Sequence, residues 1–311
     1  MHPVLSAKHG LFMLLGSAVL AATSCVLDPM GTGNSPPVAS GAGAAGSGAG
    51  DGGGGSGATG APGVGGGPSG GIGGGGGAGG AGGGETPILM AGELLVSLDA
   101  ADLTDGSTVW NNRGSLGVFT PIGAPNVGEY QQVWAVEFHG RDDAYVGPLS
   151  VPDIEGSSDR SIEVWVNNPD VGGEEALVSW GKRDGLPATM VSLNYGTNGG
   201  FGAVTHWAAD MAWEDVPSAD TWHHLVYTHE NGTSRVYCDG EERNSYDRTL
   251  STEGGVPINL GAQRSGNGQL QGPGPLPRAA SVWIAVVRVH SAALTAEQVR
   301  HNYEVEVPRF E

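Results

Sequence analysis

The stretch WHHLVYTHENGTSRVYCDG, Trp222 to Gly240, decides the fold that the sequence predicts. Two runs of β-branched and aromatic residues, His223–His229 and Ser234–Asp239, contain neither proline nor glycine. Asn231-Gly232 lies between them, and this pair adopts the positive backbone angles of a tight hairpin turn at little steric cost. Because an isolated hairpin is marginally stable in water, the rest of the folded region must supply a second layer for it to pack against.

Further strand-like segments occur across about 225 residues, a length that suits one all-β domain. Clusters of Gly, Pro, Asn and Asp separate them, which favours a two-sheet antiparallel sandwich. Thr295-Ala-Glu-Gln298 has the pattern of a capping box and predicts a short C-terminal helix to about Tyr303. The other predicted strands are Glu93–Ala100, Ala135–His139, Ala144–Val146, Ser161–Asn167, Ala176–Trp180, Thr189–Tyr195, Gly202–Trp207, Arg243–Tyr246, Ile258–Ala262 and Val282–His290.

These segments resemble laminin-G-like, concanavalin-A-like jelly-roll domains. In that family a strand beginning with Trp-His-His leads through a turn to a strand ending in Tyr-x-Asp-Gly, as in Trp222–Gly240. Ala135–Val146, Ser161–Asn167 and Val282–Val299 are similar to the family's neighbouring strands and last helix. Ile284-Ala-Val-Val-Arg288 stands where the family often has Ile-Asp-Glu-Val-Arg, which weakens the transfer of a calcium ligand. The resemblance implies a jelly-roll sandwich and says little about the ligand, because this fold hosts many functions.

The first 24 residues predict an export signal. Leu11–Ala22 is an apolar run behind Lys8 and is too short to span a bilayer, which needs roughly 20 residues. Cys25 follows small residues, and this order resembles the bacterial lipoprotein signal, in which the cysteine thiol is acylated. The alternative is an ordinary signal peptide with a coincidental cysteine. The resemblance implies an exported protein, anchored to the outer membrane or cell surface only through lipid at Cys25.

Residues 25–86 predict a disordered glycine-rich tether, so the folded domain is assigned to residues 87–311. Of the 44 residues from Gly41 to Gly84, 27 are glycine, without the three-residue period of collagen. Such a segment cannot bury enough apolar surface to offset its chain entropy. As a flexible coil, the tether has a mean span on the order of 40 to 46 Å.

The net charge of the chain is −19, and 31 of its 33 acidic residues lie in residues 85–311. A basic patch for nucleic acid is absent from the sequence, and electrostatic attachment to an anionic membrane is not favoured. The expected partner is therefore a glycan or a protein at the cell surface.

A glucanase would be the enzymatic use of such a sandwich, and it needs two carboxylates that face one cleft. On a strand, such a pair occupies positions i and i+2 or i+4. Glu163 stands alone, Glu174 and Glu175 are adjacent and point apart, and Glu241-Glu242 lies in a turn. The pattern favours a binding module without catalysis. A glucanase-type glycoside hydrolase and a structural domain without a ligand are the alternatives.

The segment Asn194–Trp213 is the expected ligand site, because it places aromatic rings among Gly and Ala next to polar side chains. Sugars expose apolar and hydroxyl faces that suit such a surface. The alternative is that the rings belong to the core, and this is the preferred interpretation for Phe201. The candidate ligand-binding residues are His206, Trp207, Asp210, Trp213, Asn194 and Arg183.

Calcium is a possible cofactor, because clustered aspartates in loops supply the hard oxygen ligands that it prefers. Asp99 with Asp102, and Asp142 with Asp143, are the two candidate pairs. The alternative is that these residues lie in solvated turns, which are common in so acidic a chain.

Zinc is not favoured at the histidines of the central strand. His223 and His229 share a face but lie six residues apart, roughly 20 Å along a strand. They are expected to form hydrogen bonds, as is His224 on the opposite face. Cys238 has the parity of Val236, which predicts a small buried hydrophobic residue and not a nucleophile.

Overall fold

The computed structural model describes residues 86–103, 106–271 and 279–311. The predicted signal peptide, Cys25 and nearly all of the predicted tether lie outside them. The described strands are Leu94–Asp99 (β1), Thr120–Ile122 (β2), Asn126–Tyr130 (β3), Val133–Glu137 (β4), Ala144–Leu149 (β5), Arg160–Asn167 (β6), Ala176–Gly181 (β7), Met190–Asn194 (β8), Val204–Thr205 (β9), Trp222–Glu230 (β10), Thr233–Cys238 (β11), Glu241–Asp247 (β12), Pro257–Leu260 (β13), Gln263–Arg264 (β14), Leu270–Gln271 (β15) and Trp283–His290 (β16). The helices are Ala296–Glu306 (α1) and the 3₁₀ turns Ala100–Leu103, Pro152–Ile154 and Val307–Arg309.

The central hairpin has the predicted form. β10 and β11 pair antiparallel, with Leu225 opposite Cys238 and Glu230 opposite Thr233. Asn231 and Gly232 have φ values of 49° and 84°, the positive angles of the tight turn that this dipeptide predicts. Asp239 and Gly240 also have positive φ values, 54° and 80°, and lead into β12. β12 pairs antiparallel with β11, so β10, β11 and β12 form a three-stranded meander.

The described strands form two antiparallel sheets, which confirms the predicted sandwich. The first sheet has the order β12-β11-β10-β6-β16-β4-β3, with β1 also paired to β16. The second has the order β2-β5-β13-β7-β8-β9, and β14 with β15 forms a separate ribbon. β6 lies between β10 and β16, so strands far apart in sequence are neighbours at the centre of the first sheet.

The main core lies between the two sheets. Ile162, Val164 and Val166 of β6 point into it, as their alternation predicts, and meet Leu177 and Leu193 of the second sheet. The opposite face of β6 is also buried, because the C-terminal segment covers it. There, the ring of Trp165 stacks on Phe310 with centroids 3.9 Å apart.

The C-terminal helix α1 begins at the predicted capping box. Thr295 Oγ1 accepts a hydrogen bond from Gln298 N at 3.2 Å, and Gln298 Oε1 accepts one from Thr295 N at 2.9 Å. The helix ends at Glu306, three residues beyond the prediction. In the described part of the chain, no helix has the length and apolar character needed to cross a membrane.

The structure corrects the strand prediction in two respects: the four strands β2, β3, β14 and β15 were missed, and one predicted strand is much shorter. β2 and β3 were not predicted, because Pro121 and Gly128 interrupt their patterns; both lie at sheet edges, where such residues are tolerated. The segment Gly202–Trp207 contains only the two-residue strand β9. It ends there because Trp207 and Ala208 have φ values of 64° and 59°, which no strand accommodates.

Candidate functional site

A buried polar cluster lies on the face of the second sheet that points away from the first. On β8, Val191 and Leu193 pack in the core, so alternation turns Ser192 and Asn194 to the outer face. Outer faces of antiparallel sheets are often solvated, yet both of these side chains are fully buried. We call this group the Arg183 cluster. Its members are Glu174, Arg183, Ser192, Asn194, Thr205 and Gln263.

An ion pair holds the Arg183 cluster together. Arg183 Nη1 donates to both carboxylate oxygens of Glu174, at 2.8 and 3.0 Å, and to Gln263 Oε1 at 2.7 Å. Glu174 Oε1 also accepts hydrogen bonds of 2.8 Å from Thr205 Oγ1 and from Gln263 Nε2. Asn194 Nδ2 donates to Thr205 Oγ1 at 2.9 Å. Both charged side chains are buried, and this pairing offsets the cost of removing them from water.

Two partly exposed aromatic rings cover the Arg183 guanidinium. The ring centroid of Trp207 lies 5.6 Å from its central carbon, and that of Phe201 lies 5.8 Å from it. These distances suit cation–π attraction. Trp207 Nε1 donates to Gly185 O at 3.1 Å, which fixes the indole against the loop after β7. The structure thus presents aromatic surface at the edge of a rigid charged cluster.

Backbone strain is concentrated in the two loops that form this edge. Asp184 and Ala188, in the first loop, have φ values of 66° and 64°, and Trp207 and Ala208 in the second have 64° and 59°. Ala188 N donates to Trp207 O at 2.7 Å and joins the loops. Non-glycine residues rarely adopt such angles, and their strain is often found at binding and catalytic sites.

The structure brings together three of the predicted ligand-binding residues. Arg183, Asn194 and Trp207 belong to the cluster or to its aromatic cover. Asp210 lies at the end of the second loop, where its Oδ1 accepts a hydrogen bond from His206 N at 2.7 Å, and burial raises its pKa. Of these four side chains, that of Asn194 is fully buried, and its hydrogen bond to Thr205 lies inside the cluster.

The other two predicted ligand-binding residues, His206 and Trp213, lie in the core. His206 is fully buried, its Nδ1 donates to Met190 O at 3.1 Å, and its ring centroid lies 5.4 Å from that of Tyr227. Trp213 is 5% exposed and belongs to the main hydrophobic core. Both were predicted at a ligand surface because the sequence shows an aromatic residue without showing which way it points. Phe201, predicted as core, is partly exposed instead.

Four members of the Arg183 cluster were not predicted from the sequence: Glu174, Ser192, Thr205 and Gln263. Glu174 and Gln263 are 89 residues apart, and their contact depends on the folding of β14 beside β7. One indication about Glu174 came from the sequence: because Glu175 is adjacent, the two side chains must point in different directions, and in the structure they do. Glu175 Oε2 accepts a hydrogen bond from Ser281 N at 2.6 Å, and burial raises the pKa of Glu175 to about 7.

The candidate calcium ligands are engaged mainly by basic side chains. Asp99 forms two hydrogen bonds with Arg309, at 2.6 and 2.7 Å, and Asp102 forms an ion pair with Arg113. Asp143 pairs with His139 and accepts a hydrogen bond from Ala124 N at 2.9 Å. Asp142 is exposed. A calcium ion at either pair would have to displace these partners.

The histidines of β10 form hydrogen bonds, as the sequence predicts. His223 Nδ1 lies 2.7 Å from Asp239 Oδ2, and His224 Nε2 donates to Glu163 Oε1 at 3.1 Å. His229 Nδ1 lies 2.9 Å from Ser234 Oγ. Cys238 is buried, as predicted, and burial raises the pKa of its thiol well above the usual range.

The fold and the site define a two-sheet β-sandwich with an aromatic edge above a buried ion pair. Residues 140–300 match the laminin G family of the concanavalin A-like lectin/glucanases superfamily. The chain belongs to this family, whose domains share the jelly-roll sandwich. No curated protein matches the sequence.

Several solved structures are similar to the chain. Domain 4 of AbnA, a GH43 extracellular arabinanase from Geobacillus stearothermophilus, solved with arabinotriose, is 17% identical, with a TM-score of 0.49 over 68% of this chain and 98% of that one. The binding domain of Paraclostridial Mosquitocidal Protein 1 is 14% identical, with a TM-score of 0.47 over 68% of this chain and 52% of that one. Trypanosoma rangeli sialidase, solved with sialic acid, is 15% identical, with a TM-score of 0.49 over 72% of this chain and 34% of that one. The chain therefore spans about half of the toxin domain and a third of the sialidase.

Proposed function

We propose that this domain is a carbohydrate-binding module whose contact surface is the aromatic edge of the Arg183 cluster. The indole of Trp207 carries the proposal: it is partly exposed, held at a positive φ, and fixed on one side by Arg183. An aromatic ring that is immobilised in this way offers a flat apolar surface to the apolar face of a sugar and loses little entropy on binding.

Polar groups beside the ring suit the hydroxyl groups of a sugar. Asp184 is exposed in the first loop and Asp210 is partly exposed in the second, so both loops present a carboxylate as a hydrogen-bond acceptor. Arg183 Nε is buried and has no hydrogen-bond partner among the described residues. An unpaired buried donor costs about 1–3 kcal/mol, and such features are characteristic of functional sites.

A glycoside hydrolase on the same fold is the alternative, and Glu175 is the observation that favours it. Its pKa of about 7 is suitable for a general acid. A glycosidase also needs a second carboxylate in the same cleft. Glu174 does not supply one, because it is held by Arg183 and Gln263 on the outer face. Turnover of a polysaccharide by the purified protein would establish the alternative.

We further propose that the protein is exported and tethered to the outer membrane or cell surface by lipid on Cys25. The support comes from the sequence: an apolar run with small residues before the cysteine, then the glycine-rich segment. The expected glycan or protein partner lies in the same compartment. Membrane fractionation of Cys25→Ser tests this proposal.

A glycan array probed with the purified protein tests the binding function. We expect the wild type to bind a defined set of glycans, and Trp207→Ala to weaken that binding by at least about tenfold, because the stacking surface is lost. Trp134→Ala is the matched control: Trp134 is 39% exposed on β4 of the other sheet, and its loss should leave binding unchanged. Equal binding by wild type and Trp207→Ala would remove the proposal.

A further inference from the structure

Three side chains with metal-binding atoms meet where β10 begins and β11 ends. His223 Nδ1 lies 2.7 Å from Asp239 Oδ2 and 3.6 Å from Cys238 Sγ, and the Sγ atom lies 3.4 Å from the same carboxylate oxygen. The pairing of β10 with β11 causes this meeting, since Leu225 is opposite Cys238. Spacing along β10 alone could not reveal it, because the second and third groups come from the neighbouring strand and its turn. Among the described residues, this is the group of at least three such side chains that is close enough to hold a metal ion.

The separations suit a tetrahedral zinc ion. Zinc bonds of roughly 2.3 Å to sulfur and 2.0–2.2 Å to nitrogen or oxygen place tetrahedral ligand atoms about 3.3–3.6 Å apart. Both distances to Cys238 Sγ are close to this range. The contact of 2.7 Å between His223 Nδ1 and Asp239 Oδ2 has the length of a hydrogen bond, and it must open by about 0.6 Å to admit the ion.

Neighbouring backbone groups hold two of the three ligands in orientation. His223 Nε2 lies 3.1 Å from Ser218 Oγ and 3.2 Å from Ser218 O, so with the ion on Nδ1 the Nε2–H group can donate to either oxygen. Histidines that bind metals commonly donate their other N–H to a carbonyl in this way. Asp239 Oδ1 accepts a hydrogen bond from His224 N at 2.9 Å, which leaves Oδ2 for the ion.

The site is reachable and close to charge balance. A surface pocket of about 300 Å³ adjoins Asp239, and Arg243, Tyr303 and Glu304 also line it, so an ion and a water molecule can enter. Binding would release one proton from the Cys238 thiol, after which thiolate and carboxylate together balance the two charges of zinc. Arg243, the cation beside the thiol, is itself paired with Glu241 at 3.2 Å.

We propose that His223, Cys238 and Asp239 form a zinc site, with water as the fourth ligand. Thiolate and imidazole ligands favour zinc, whereas calcium prefers oxygen alone, so this site differs in kind from the aspartate pairs predicted for calcium. The ion would join the first residues of β10 to the turn after β11. This inference is independent of the carbohydrate-binding proposal, because the Arg183 cluster contributes no ligand.

Isothermal titration calorimetry of the purified full chain, first treated with a chelator, tests the proposal. Zinc chloride should bind with one equivalent per chain, and calcium chloride should not compete for the same equivalent. Cys238→Ser, which preserves the size of the side chain, should weaken zinc binding by at least about tenfold. His223→Asn should do the same, because it removes the imidazole.

Two matched variants control for other zinc-binding groups. His139→Asn removes a histidine that pairs with Asp143 in the same manner as His223 with Asp239, but without a thiol nearby, and it should keep full zinc binding. Cys25→Ser removes the other cysteine of the chain and should also keep it. Zinc binding that is lost equally in these variants would contradict the proposed site.

Cobalt(II) provides a readout that does not depend on whether a variant folds. Cobalt bound to the wild type should show a thiolate-to-cobalt charge-transfer absorption, and the intense visible bands of tetrahedral geometry. The proposal is overturned if the wild type binds no zinc, if Cys238→Ser binds zinc as the wild type does, or if bound cobalt lacks the thiolate band.

Discussion

The groups that surround a buried carboxyl in space determine whether it is ionised, and the sequence around it does not show which groups these are. Glu174 and Glu175 are adjacent and equally buried, yet they differ in their partners. Glu174 faces the guanidinium of Arg183, whereas Glu175 accepts hydrogen bonds from the backbone N–H groups of Ser281 and Gly172 and lies near the carboxylate of Asp170 instead of a cation. Burial therefore raises the pKa of Glu175 to about 7.

The raised pKa of Glu175 predicts a stability that falls as pH rises. Between about pH 4.5 and 7 the folded state keeps a proton on this carboxyl that the unfolded state has lost, so the free energy of unfolding should decrease over this window. The full difference is about 3 kcal/mol. Glu175→Gln keeps an acceptor for Ser281 N without the charge, and should therefore be more stable than the wild type at pH 8, with the gap narrowing at pH 5.

Urea denaturation of the wild type and Glu175→Gln at both pH values measures this effect. Leu177→Ala, a buried apolar change two residues later in β7, is the control and should lower stability by a similar amount at pH 5 and pH 8. If the difference between wild type and Glu175→Gln does not depend on pH, the carboxyl is not held in its neutral form.

At the scale of secondary-structure elements, the sequence correctly predicts the turns, helix caps and strand faces that are determined by residues close together in the chain. The turn at Asn231-Gly232 and the capping box at Thr295 were predicted correctly, because each is determined by a few adjacent side chains. The alternation of Ile162, Val164 and Val166 correctly predicted which face of β6 meets the second sheet. These signals are local, and they were sufficient for the architecture.

The sequence did not predict which outward-facing surfaces of the two sheets are covered by other segments of the chain. The sequence shows Glu163 as the lone acid of β6, and in the structure α1 lies over it, so that it is 1% exposed. Its carboxylate accepts hydrogen bonds from His224, His290 and Asn302, at 3.1, 2.8 and 2.9 Å. These donors come from three different elements, up to 139 residues away, so no spacing in the sequence indicates them. For the same reason, the sequence did not indicate that Gln263 contacts Glu174 in the candidate site.

The contacts of Glu163 predict that this carboxylate fastens α1 to the first sheet. Although burial opposes ionisation, the hydrogen bonds from His224 and His290 hold the pKa of Glu163 well below its usual range. Replacing a buried, fully paired charge leaves its partners unsatisfied, so Glu163→Gln should lower the free energy of unfolding by about 3 kcal/mol.

Urea denaturation compares Glu163→Gln with a control on the same helix. Glu304→Gln removes an exposed carboxylate that pairs with Arg300 at 3.1 Å, and surface pairs of this kind contribute at most about 0.5 kcal/mol. Similar midpoints for the two variants would show that Glu163 does not fasten the helix.

At the scale of the whole molecule, the two cysteines are expected to have separate tasks. Cys238 is buried in the sandwich beside His223 and Asp239. Cys25 stands 62 residues before the predicted domain, at the junction of the predicted signal peptide and tether. If both proposals hold, one thiol binds a metal ion and the other carries a lipid.

This separation predicts opposite results for the two cysteine variants in a bacterial host that acylates lipoproteins. The wild type should fractionate with membranes, and its N-terminal peptide should carry the mass of an acyl group. Cys25→Ser should move to the soluble fraction, because the chain has lost its only predicted attachment to lipid, while zinc binding is unchanged. Cys238→Ser should stay with the membranes and lose zinc. Membrane fractionation of Cys25→Ser equal to that of the wild type would show that an uncleaved apolar segment, and not a lipid, holds the protein there.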